Sequence, residues 1–240
     1  MWRLSAWCCV LGVALVFAPS ANASIIVAGD SADSVIRKDG SRLIGPTGRL
    51  GAGTTIFAAQ QGGRDAVYVF KLPTPNPGEQ FVVGGARFQF TIVADKPDGS
   101  YNIDLYGLGA RTAPDVLAGD YYAGALDSTD ATLIQNDLIP SAHPDHGVEA
   151  VTTSASANLE LVNYLNAQYG ASVAGVGRYA FLRLNPDLDP PNEDTGVDVA
   201  FAENSTGTPQ LTISFVPEPG IVLPTFIVLV AYHWRRGRRD

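Results

Sequence analysis

Cysteine is almost absent from this chain, and its two copies, Cys8 and Cys9, stand side by side near the N-terminus. The residues that follow them therefore form no disulfide bond with one another. The fold must be stabilised by a core of apolar side chains, and about 190 residues between the two chain ends are enough to build one.

Basic residues are scarce outside the chain ends. Residues 24–219 contain 11 Lys and Arg against 23 Asp and Glu, a balance of −12, whereas the formal net charge of the whole chain is −8. A surface this acidic repels the phosphate backbone of DNA and RNA. The charge balance therefore argues against nucleic-acid binding.

Residues that carry hydrolytic chemistry are also few. The chain has three histidines, and no serine lies in a G-x-S-x-G turn. His143 and His146 flank Pro144 and Asp145 in a segment typical of a solvated loop, without an evident third metal ligand. A glycosidase pair needs a carboxylic acid in an apolar pocket, which no segment suggests. We therefore expect a protein that is not an enzyme.

Long apolar runs are missing, and the first of two short ones lies at the N-terminus. One arginine precedes an apolar run at 4–17, and Ala21 and Ala23 stand at positions −3 and −1 before Ser24. This is the layout of a secretory signal peptide. Because a membrane span needs roughly 20 residues, cleavage between Ala23 and Ser24 is favoured over an uncleaved anchor. Residues 1–23 are therefore predicted to be removed on export.

The second short run belongs to a C-terminal tail, residues 216–240. A transmembrane helix is predicted over about 220–234, although its apolar stretch is shorter than the roughly 30 Å of a bilayer core unless interfacial aromatics and arginines extend it. The arginines that follow are expected to anchor the cytoplasmic side: Arg235, Arg236, Arg238 and Arg239. The alternative is a buried last element of the folded domain.

Val216, Pro217, Glu218 and Pro219 open this tail. The Val-Pro-Glu-Pro motif, the apolar helix and the terminal arginine cluster together resemble the PEP-CTERM sorting signal. The resemblance implies recognition by an exosortase-type membrane enzyme, after passage through the export machinery, with cleavage near the motif. It also implies transient residence in the inner membrane and delivery to the cell surface or extracellular matrix, where such proteins accompany exopolysaccharide.

The region between the two ends, residues 24–215, reads as short strands separated by Gly and Pro turns. Period-two alternation at 86–93 and 101–106 is typical of half-buried strands. Further strands are predicted at 54–59, 66–72, 179–184, 198–201 and 210–215. The pattern predicts an all-β chain folded as an antiparallel β-sandwich.

One short helix is expected to cover an edge or end of that sandwich. Ser156 is its predicted N-cap, Leu159, Val162 and Leu165 its apolar face, and Gly170 its end. The glycine-rich stretch at 45–54 lacks the lysine of a phosphate-binding loop and is interpreted as turns.

Several central segments stand in a recognisable order: GGRDAVYVFKLP, GGARFQFTIV, YNIDLYGL, the helix, RYAFLRLNP and FAENSTGTPQLTISF. Arg64, Glu203, Pro209 and Leu211 stand at the positions of a family pattern within it. The order resembles DNRLRE-type modules, which are jelly-roll β-sandwiches related to family-96 carbohydrate-binding modules. The resemblance implies a jelly-roll-like fold and raises the prospect of carbohydrate binding.

An acidic segment offers the best metal candidate. Its carboxylates belong to Asp187, Asp189, Glu193, Asp194 and Asp198. Closely spaced hard oxygen ligands suit Ca²⁺. Their spacing does not match an EF-hand, and Asp is also common in turns for conformational reasons alone. Calcium is thus one interpretation, ordinary turn residues are the other, and no other cofactor is expected.

Two main hypotheses about function follow. The first is a non-catalytic surface or matrix protein that binds exopolysaccharide, with Tyr101, Tyr106, Tyr121 and Tyr122 as candidate stacking rings. The second is a structural or adhesive envelope protein without a small ligand. A polysaccharide-active enzyme is a remote third.

Overall fold

The computed structural model describes residues 23–37, 39–52, 64–75, 81–95, 102–121, 131–140, 148–171, 176–186 and 195–216. Within them the chain is mostly β, with antiparallel strands and one α-helix, which confirms that part of the prediction. In chain order the elements are β1 (Ala23–Ala28), β2 (Ser34–Arg37), β3 (Arg42–Leu43), β4 (Thr47–Ala52), β5 (Arg64–Leu72), β6 (Val82–Asp95), β7 (Ile103–Gly107), a 3-10 turn (Ala118–Asp120), β8 (Thr132–Ile139), β9 (Glu149–Thr152), α1 (Ala155–Gly170), β10 (Arg178–Pro186), β11 (Thr195–Ala200) and β12 (Gln210–Val216).

The strands form one hydrogen-bonded path in the order β1-β12-β6-β11-β4-β5-β10-β7-β8. Three short strands lie off this path: β2 pairs with β5, β3 pairs with β2, and β9 pairs with β6. The first strand pairs with the last, from Ala23 opposite Phe215 to Ala28 opposite Gln210. The first and last strands of the described residues thus pair with each other at one edge of the sheet.

The main hydrophobic core lies between β5 and β6. The ring of Tyr68 packs against Phe88 and Phe90 at centroid distances of 5.2 and 5.7 Å, and Phe201 meets it edge-on at 5.5 Å. Such ring pairs add about 0.5–1.5 kcal/mol each beyond the burial of their area. They hold together two strands that are not neighbours in the sheet path.

The other face of β5, β10 and β7, called here the outer face, is buried as well. Side chains alternate along a strand, so Val67 and Val69 point away from Tyr68 and pack with Phe181 in a second hydrophobic cluster. All five residues of β7 are buried. The half-buried strand predicted at 101–106 is therefore wrong in this respect, because the segment 108–121 covers its second face.

Helix α1 begins and packs differently from the prediction. Ser154, not Ser156, is the N-cap, and its hydroxyl accepts a hydrogen bond from the amide of Ala157 at 3.2 Å. Leu159 is 62% exposed, whereas Leu161 is fully buried. Leu165 is fully buried and Val162 packs against the core, as predicted, so only Leu159 was misplaced. The buried face also includes Tyr164, Gln168 and Tyr169, which the apolar pattern did not indicate.

The glycine-rich stretch at 45–54 also departs from the prediction. Instead of turns alone, its residues 47–52 form strand β4, which pairs with β11. A Cβ atom on Gly48 would overlap the ring of Phe201 and lie 2.6 Å from Cγ2 of Val35. Glycine is required there because the strand backbone approaches these core side chains closely.

Candidate functional site

Polar residues form two rows across the outer face. Asn185 of β10 lies opposite Asp104 of β7, and the register that pairs Leu184 with Ala66 places Asp65 on its other side. All three residues are at most 5% exposed. Buried carboxylates are rare unless they are paired or hydrogen-bonded, so this row is the first place to look for a function.

In the neighbouring row, Arg183 lies between Val67 and Tyr106. Its guanidinium stands over the Tyr106 ring at 5.3 Å and donates from Nη1 to the carbonyl oxygen of Asp120 at 2.9 Å. Arg183 is only 1% exposed. A positive charge is therefore held inside the domain beside the acidic row.

The segment 108–121, which lies over the outer face, contains an ion pair between Arg111 and Asp120. Nη1 and Nη2 of Arg111 donate to Oδ2 and Oδ1 of Asp120, and Nη1 lies 2.7 Å from Oδ2. The amide of Leu117 donates to the same Oδ2 at 2.7 Å. The guanidinium also lies 4.5 Å from the ring centroid of Phe181. Asp120 thus binds backbone and side chain of its own covering segment.

Asp104 also accepts hydrogen bonds from its own domain. Its Oδ1 accepts a hydrogen bond from the amide of Asp137 at 2.8 Å, and its Oδ2 accepts one from the Tyr106 hydroxyl at 3.2 Å. Asp137 has a φ of 52°, in the left-handed region that few residues other than glycine adopt. The carboxylate therefore supports the irregular register between β7 and β8.

A second buried carboxylate site lies where the β1–β2 turn meets β5. Oδ1 of Asp33 accepts from the amide of Val69 at 2.6 Å, and Oδ2 from the amide of Ala202 at 3.2 Å. Burial raises the pKa of Asp33 to about 8, and the two amide hydrogen bonds only partly oppose it. One side chain thus joins three segments that are distant in sequence.

These groups can orient the backbone of the domain, but they do not form a constellation of nucleophile and base. Among the residues that the structure describes, no group of three or more His, Cys, Asp or Glu is arranged to hold a metal ion. Oδ1 of Asn185 has no hydrogen-bond partner within the same residues, and its Nδ2 donates to the carbonyl of Pro186 at 3.0 Å.

The predicted processing residues lie at the two ends of the described chain. Ala23 and Ser24 belong to β1, where they pair with Phe215 and Ser214. Val216 is the last residue of β12, pairs with Val82 and is 47% exposed. The remaining processing residues lie outside the described ranges: Ala21, Pro217, Glu218, Pro219, Arg235, Arg236, Arg238 and Arg239.

Of the predicted calcium ligands, the described ranges include only Asp198. It lies on β11 opposite Ala94 and is half-buried. The other four, Asp187, Asp189, Glu193 and Asp194, lie outside those ranges, as do His143 and His146. With one of five predicted ligands described, the calcium site stays a prediction.

Two of the four tyrosines proposed as sugar-stacking rings are described. Tyr106 is 3% exposed and lies beneath Arg183, so its ring is not available to a sugar. Tyr121 is half-buried against the second hydrophobic cluster. Tyr101 and Tyr122 lie outside the described residues.

In the described part of the chain, no helix has the length and apolar character to cross a membrane. The predicted tail helix lies outside that part. No protein-family model matches the chain, and no curated protein shows significant similarity to it. Both resemblances stated above remain predictions.

Sequence patterns did not reveal the buried ionisable residues Asp33, Asp120 and Arg183. One signal was present, since Arg183 interrupts the otherwise apolar run Phe181–Leu184 at a position where alternation points it with Phe181. A charge on a strand normally marks a solvent-facing position. Here the segment 108–121 covers Arg183, so the charged residue on this strand is buried.

Proposed function

We propose that this chain is an exported, non-catalytic bacterial protein of the cell surface or extracellular matrix, sorted through its C-terminal tail by an exosortase-type enzyme. One observation carries the proposal most directly. The described fold begins with β1 at Ala23, where the leader is predicted to end, and finishes with β12 at Val216, where the sorting motif is predicted to begin. The two predicted signals therefore meet the described strands at Ala23 and Val216.

The pairing of these strands supports the same arrangement. Because β1 and β12 are antiparallel and Ala23 lies opposite Phe215, both chain ends leave the domain at the same end of the sheet. The leader and the tail are each expected to keep their positive charges on the cytoplasmic side. One membrane can thus hold both of them while the domain lies on its outer side.

We further propose that the strands form a jelly-roll-like β-sandwich, the finer form of the fold. The ring contacts of Tyr68 and Phe70 with Phe88 support two layers packed face to face. The pairing of β1 with β12 and of β5 with β10 supports the long-range antiparallel connections of such a fold.

The hydrogen bonds of the buried carboxyl groups support a non-catalytic role. Asp33, Asp104 and Asp120 each accept hydrogen bonds from backbone amides of their own domain. For polysaccharide binding, the candidate rings are those of Tyr101, Tyr121 and Tyr122, because Tyr106 is buried. A calcium ion at the acidic segment before Asp198 would be a structural ligand if present.

The sorting claim is tested by replacing Glu218 and Pro219 together with Ala in the full chain expressed in a host with an exosortase-type system. Precursor is expected to accumulate in the inner membrane, and surface release should fall. As a matched control, Glu203→Ala removes an exposed acid outside the sorting motif and should leave sorting unchanged. Unaltered release of the double variant would refute the proposal.

The released protein is suited to a test of ligand binding on a glycan array of acidic and neutral polysaccharides. Binding would favour the matrix-ligand form of the function. Silence across the array would instead leave the structural or adhesive form. Addition of CaCl2 or EDTA in parallel separates direct sugar binding from an effect of calcium.

A further inference from the structure

The outer face contains a buried amide oxygen, Oδ1 of Asn185, that has no hydrogen-bond partner among the described residues. The residue is 1% exposed. Its Nδ2 donates to the carbonyl oxygen of Pro186 at 3.0 Å, and this bond fixes which way the amide is turned, because the reverse orientation would bring two oxygens together. A buried acceptor without a donor is unfavourable, so this oxygen can gain from binding a ligand.

Two carboxyl groups flank this oxygen on the neighbouring strands. Asp104 of β7 lies directly opposite Asn185, and the register of β10 with β5 places Asp65 on its other side. Directly opposed residues of antiparallel strands share one face of the sheet, with Cβ atoms about 4.5–5.5 Å apart. Asp65 is 1% and Asp104 5% exposed. Three oxygen-bearing side chains therefore lie side by side in one buried row.

We propose that Asp65, Asn185 and Asp104 bind one Ca²⁺ ion, which links β5, β10 and β7 across the outer face. Ca²⁺ takes about six to eight oxygen ligands in irregular geometry, from carboxylates, amide oxygens and water. The three side chains offer only oxygen to a cation, whereas most transition metals favour nitrogen or sulfur. This row is separate from the acidic segment before Asp198, and the inference does not depend on the proposed export.

The hydrogen bonds of Asp104 hold its carboxylate in place and leave it able to bind a cation. Oδ1 accepts from the amide of Asp137, and Oδ2 accepts from the hydroxyl of Tyr106. An ionised carboxylate has about four lone-pair sites, so each oxygen keeps one after these bonds. Hydrogen bonds of this kind orient metal ligands in known sites. Asp104 is therefore positioned as a metal ligand would be.

The charges of the outer face favour a cation. When ionised, Asp65, Asp104 and Asp120 carry three negative charges, and Arg111 and Arg183 carry two positive ones. The guanidinium of Arg111 pairs with Asp120, and Nη1 of Arg183 donates to the carbonyl oxygen of Asp120. One negative charge is thus in excess, and its attraction for a cation is stronger inside the domain than in water.

The test uses the full chain, purified in a mild detergent and freed of metal with EDTA. Titration calorimetry measures the binding of Ca²⁺, and urea unfolding in CaCl2 or in EDTA measures its effect on stability. We expect a higher urea midpoint in CaCl2, because the ion binds the folded state. Asp65→Asn and Asp104→Asn should each weaken binding by about tenfold or more, since fewer charged ligands remain.

MgCl2 at the same concentration is the control for a general effect of divalent charge on this acidic domain. Mg²⁺ demands nearly regular octahedral geometry and gives up its waters reluctantly, so a much smaller rise is expected. An unchanged midpoint in CaCl2 would overturn the inference, and so would an equal rise in MgCl2.

Asn185→Asp distinguishes a metal ligand from an amide with a merely structural role. In EDTA the third carboxylate in the row should destabilise the domain, because like charges on opposed strands repel. In CaCl2 the same carboxylate is a ligand, so the stability should be largely restored and the ion should bind at least as tightly as in the wild type. A loss of stability that persists in CaCl2 would contradict the site.

Asn185→Leu removes the oxygen altogether and should weaken calcium binding by about tenfold or more. Calcium binding at wild-type strength in this variant would count against Asn185 as a ligand. If the variant does not fold, the comparison of Asn185→Asp in CaCl2 and in EDTA still decides.

A further variant separates this row from the calcium site predicted in the acidic segment. It replaces the carboxylates of that segment with the corresponding amides, at Asp187, Asp189, Glu193 and Asp194. Calcium stabilisation that survives there but is weakened in Asp65→Asn supports the inference. The opposite pattern overturns it and assigns the ion to the acidic segment. Neither result bears on sorting, which the Glu218 and Pro219 variant tests.

Discussion

The hydroxyl of Tyr164 in α1 makes two hydrogen bonds to one residue of β10, donating to the carbonyl oxygen of Phe181 and accepting from its amide, each at 3.1 Å. The tyrosine is 3% exposed, and burial raises its pKa above the usual value, so it stays protonated. This hydroxyl binds the helix to β10, and Asn166 of the same helix binds β6 by accepting from the amide of Val83 and donating to its carbonyl oxygen.

Tyr164→Phe should destabilise the domain by about 1–3 kcal/mol, because the amide of Phe181 would be left buried without its acceptor. Urea unfolding of the released protein measures the loss. Tyr169→Phe is a suitable comparison, since that hydroxyl donates to the carbonyl of Pro73 at 3.2 Å in a partly buried hydrogen bond, and a smaller loss is expected. An equal effect of both variants would argue against the special role of Tyr164.

Gly107→Ala tests the close packing of the same tyrosine against β7. A Cβ atom at this position would lie 2.5 Å from the Tyr164 ring, so the ring or the strand must shift. We expect a loss of about 1–3 kcal/mol in thermal or urea unfolding, in line with other overpacked cores. Gly85→Ala, whose Cβ would lie 3.6 Å from that of Ser214, should change stability much less.

Arg111→Ala would leave the buried carboxylate of Asp120 without its cationic partner. The expected cost is about 3 kcal/mol, because breaking one side of a buried ion pair is strongly destabilising. Arg87→Ala is the control, since Arg87 is exposed and its hydrogen bonds to Gln89 and Thr152 are at the surface. Urea midpoints of the two variants should differ clearly, and similar midpoints would contradict a structural role for the Arg111 pair.

Asp33 should make the domain less stable as the pH rises. Its pKa is about 8 in the folded state against 3.8 for the ordinary group, so the folded protein holds this proton more tightly than the unfolded one. Its contribution is fully present below about pH 4 and declines as the pH rises through 8. Urea midpoints should therefore fall between pH 5 and pH 8 in the wild type.

Asp33→Asn should flatten that slope, because the titrating group is removed. Asp39→Asn is the matched control: Asp39 is exposed, and its hydrogen bonds from Ser41 lower its pKa below the range that is scanned. The histidines are common to all three proteins and cancel in the comparison. A slope that persists in Asp33→Asn would assign the pH dependence to another group.

Sequence patterns located several strands within two or three residues of their observed ends. The runs at 66–72 and 210–215 correspond to β5 and β12, and 179–184 lies within β10. These segments are rich in β-branched and aromatic residues and are bounded by Gly or Pro, so the signal is local. Strands β1, β2, β3, β4, β8 and β9 were not predicted. Of these, β3 has only two residues and β4 contains two glycines, so the local signal is weak.

The candidate site was far less predictable. Whether Arg183 faces solvent depends on a covering segment some seventy positions earlier, about which the alternation of β10 says nothing. The low content of His and Cys did argue against a catalytic or transition-metal centre, since those chemistries need particular side chains. It did not indicate which of the many carboxylates would be buried.

By itself, the sequence determined that this chain is mostly β with one helix, because side-chain alternation and turn residues act over a few positions. It also carries the two predicted processing signals, whose chemistry is read from short motifs. Only the tertiary structure decided that β1 closes against β12 and places Ala23 opposite Phe215. The reason is physical: the register of strands so distant in sequence is set by packing of the whole core, and no local pattern records it.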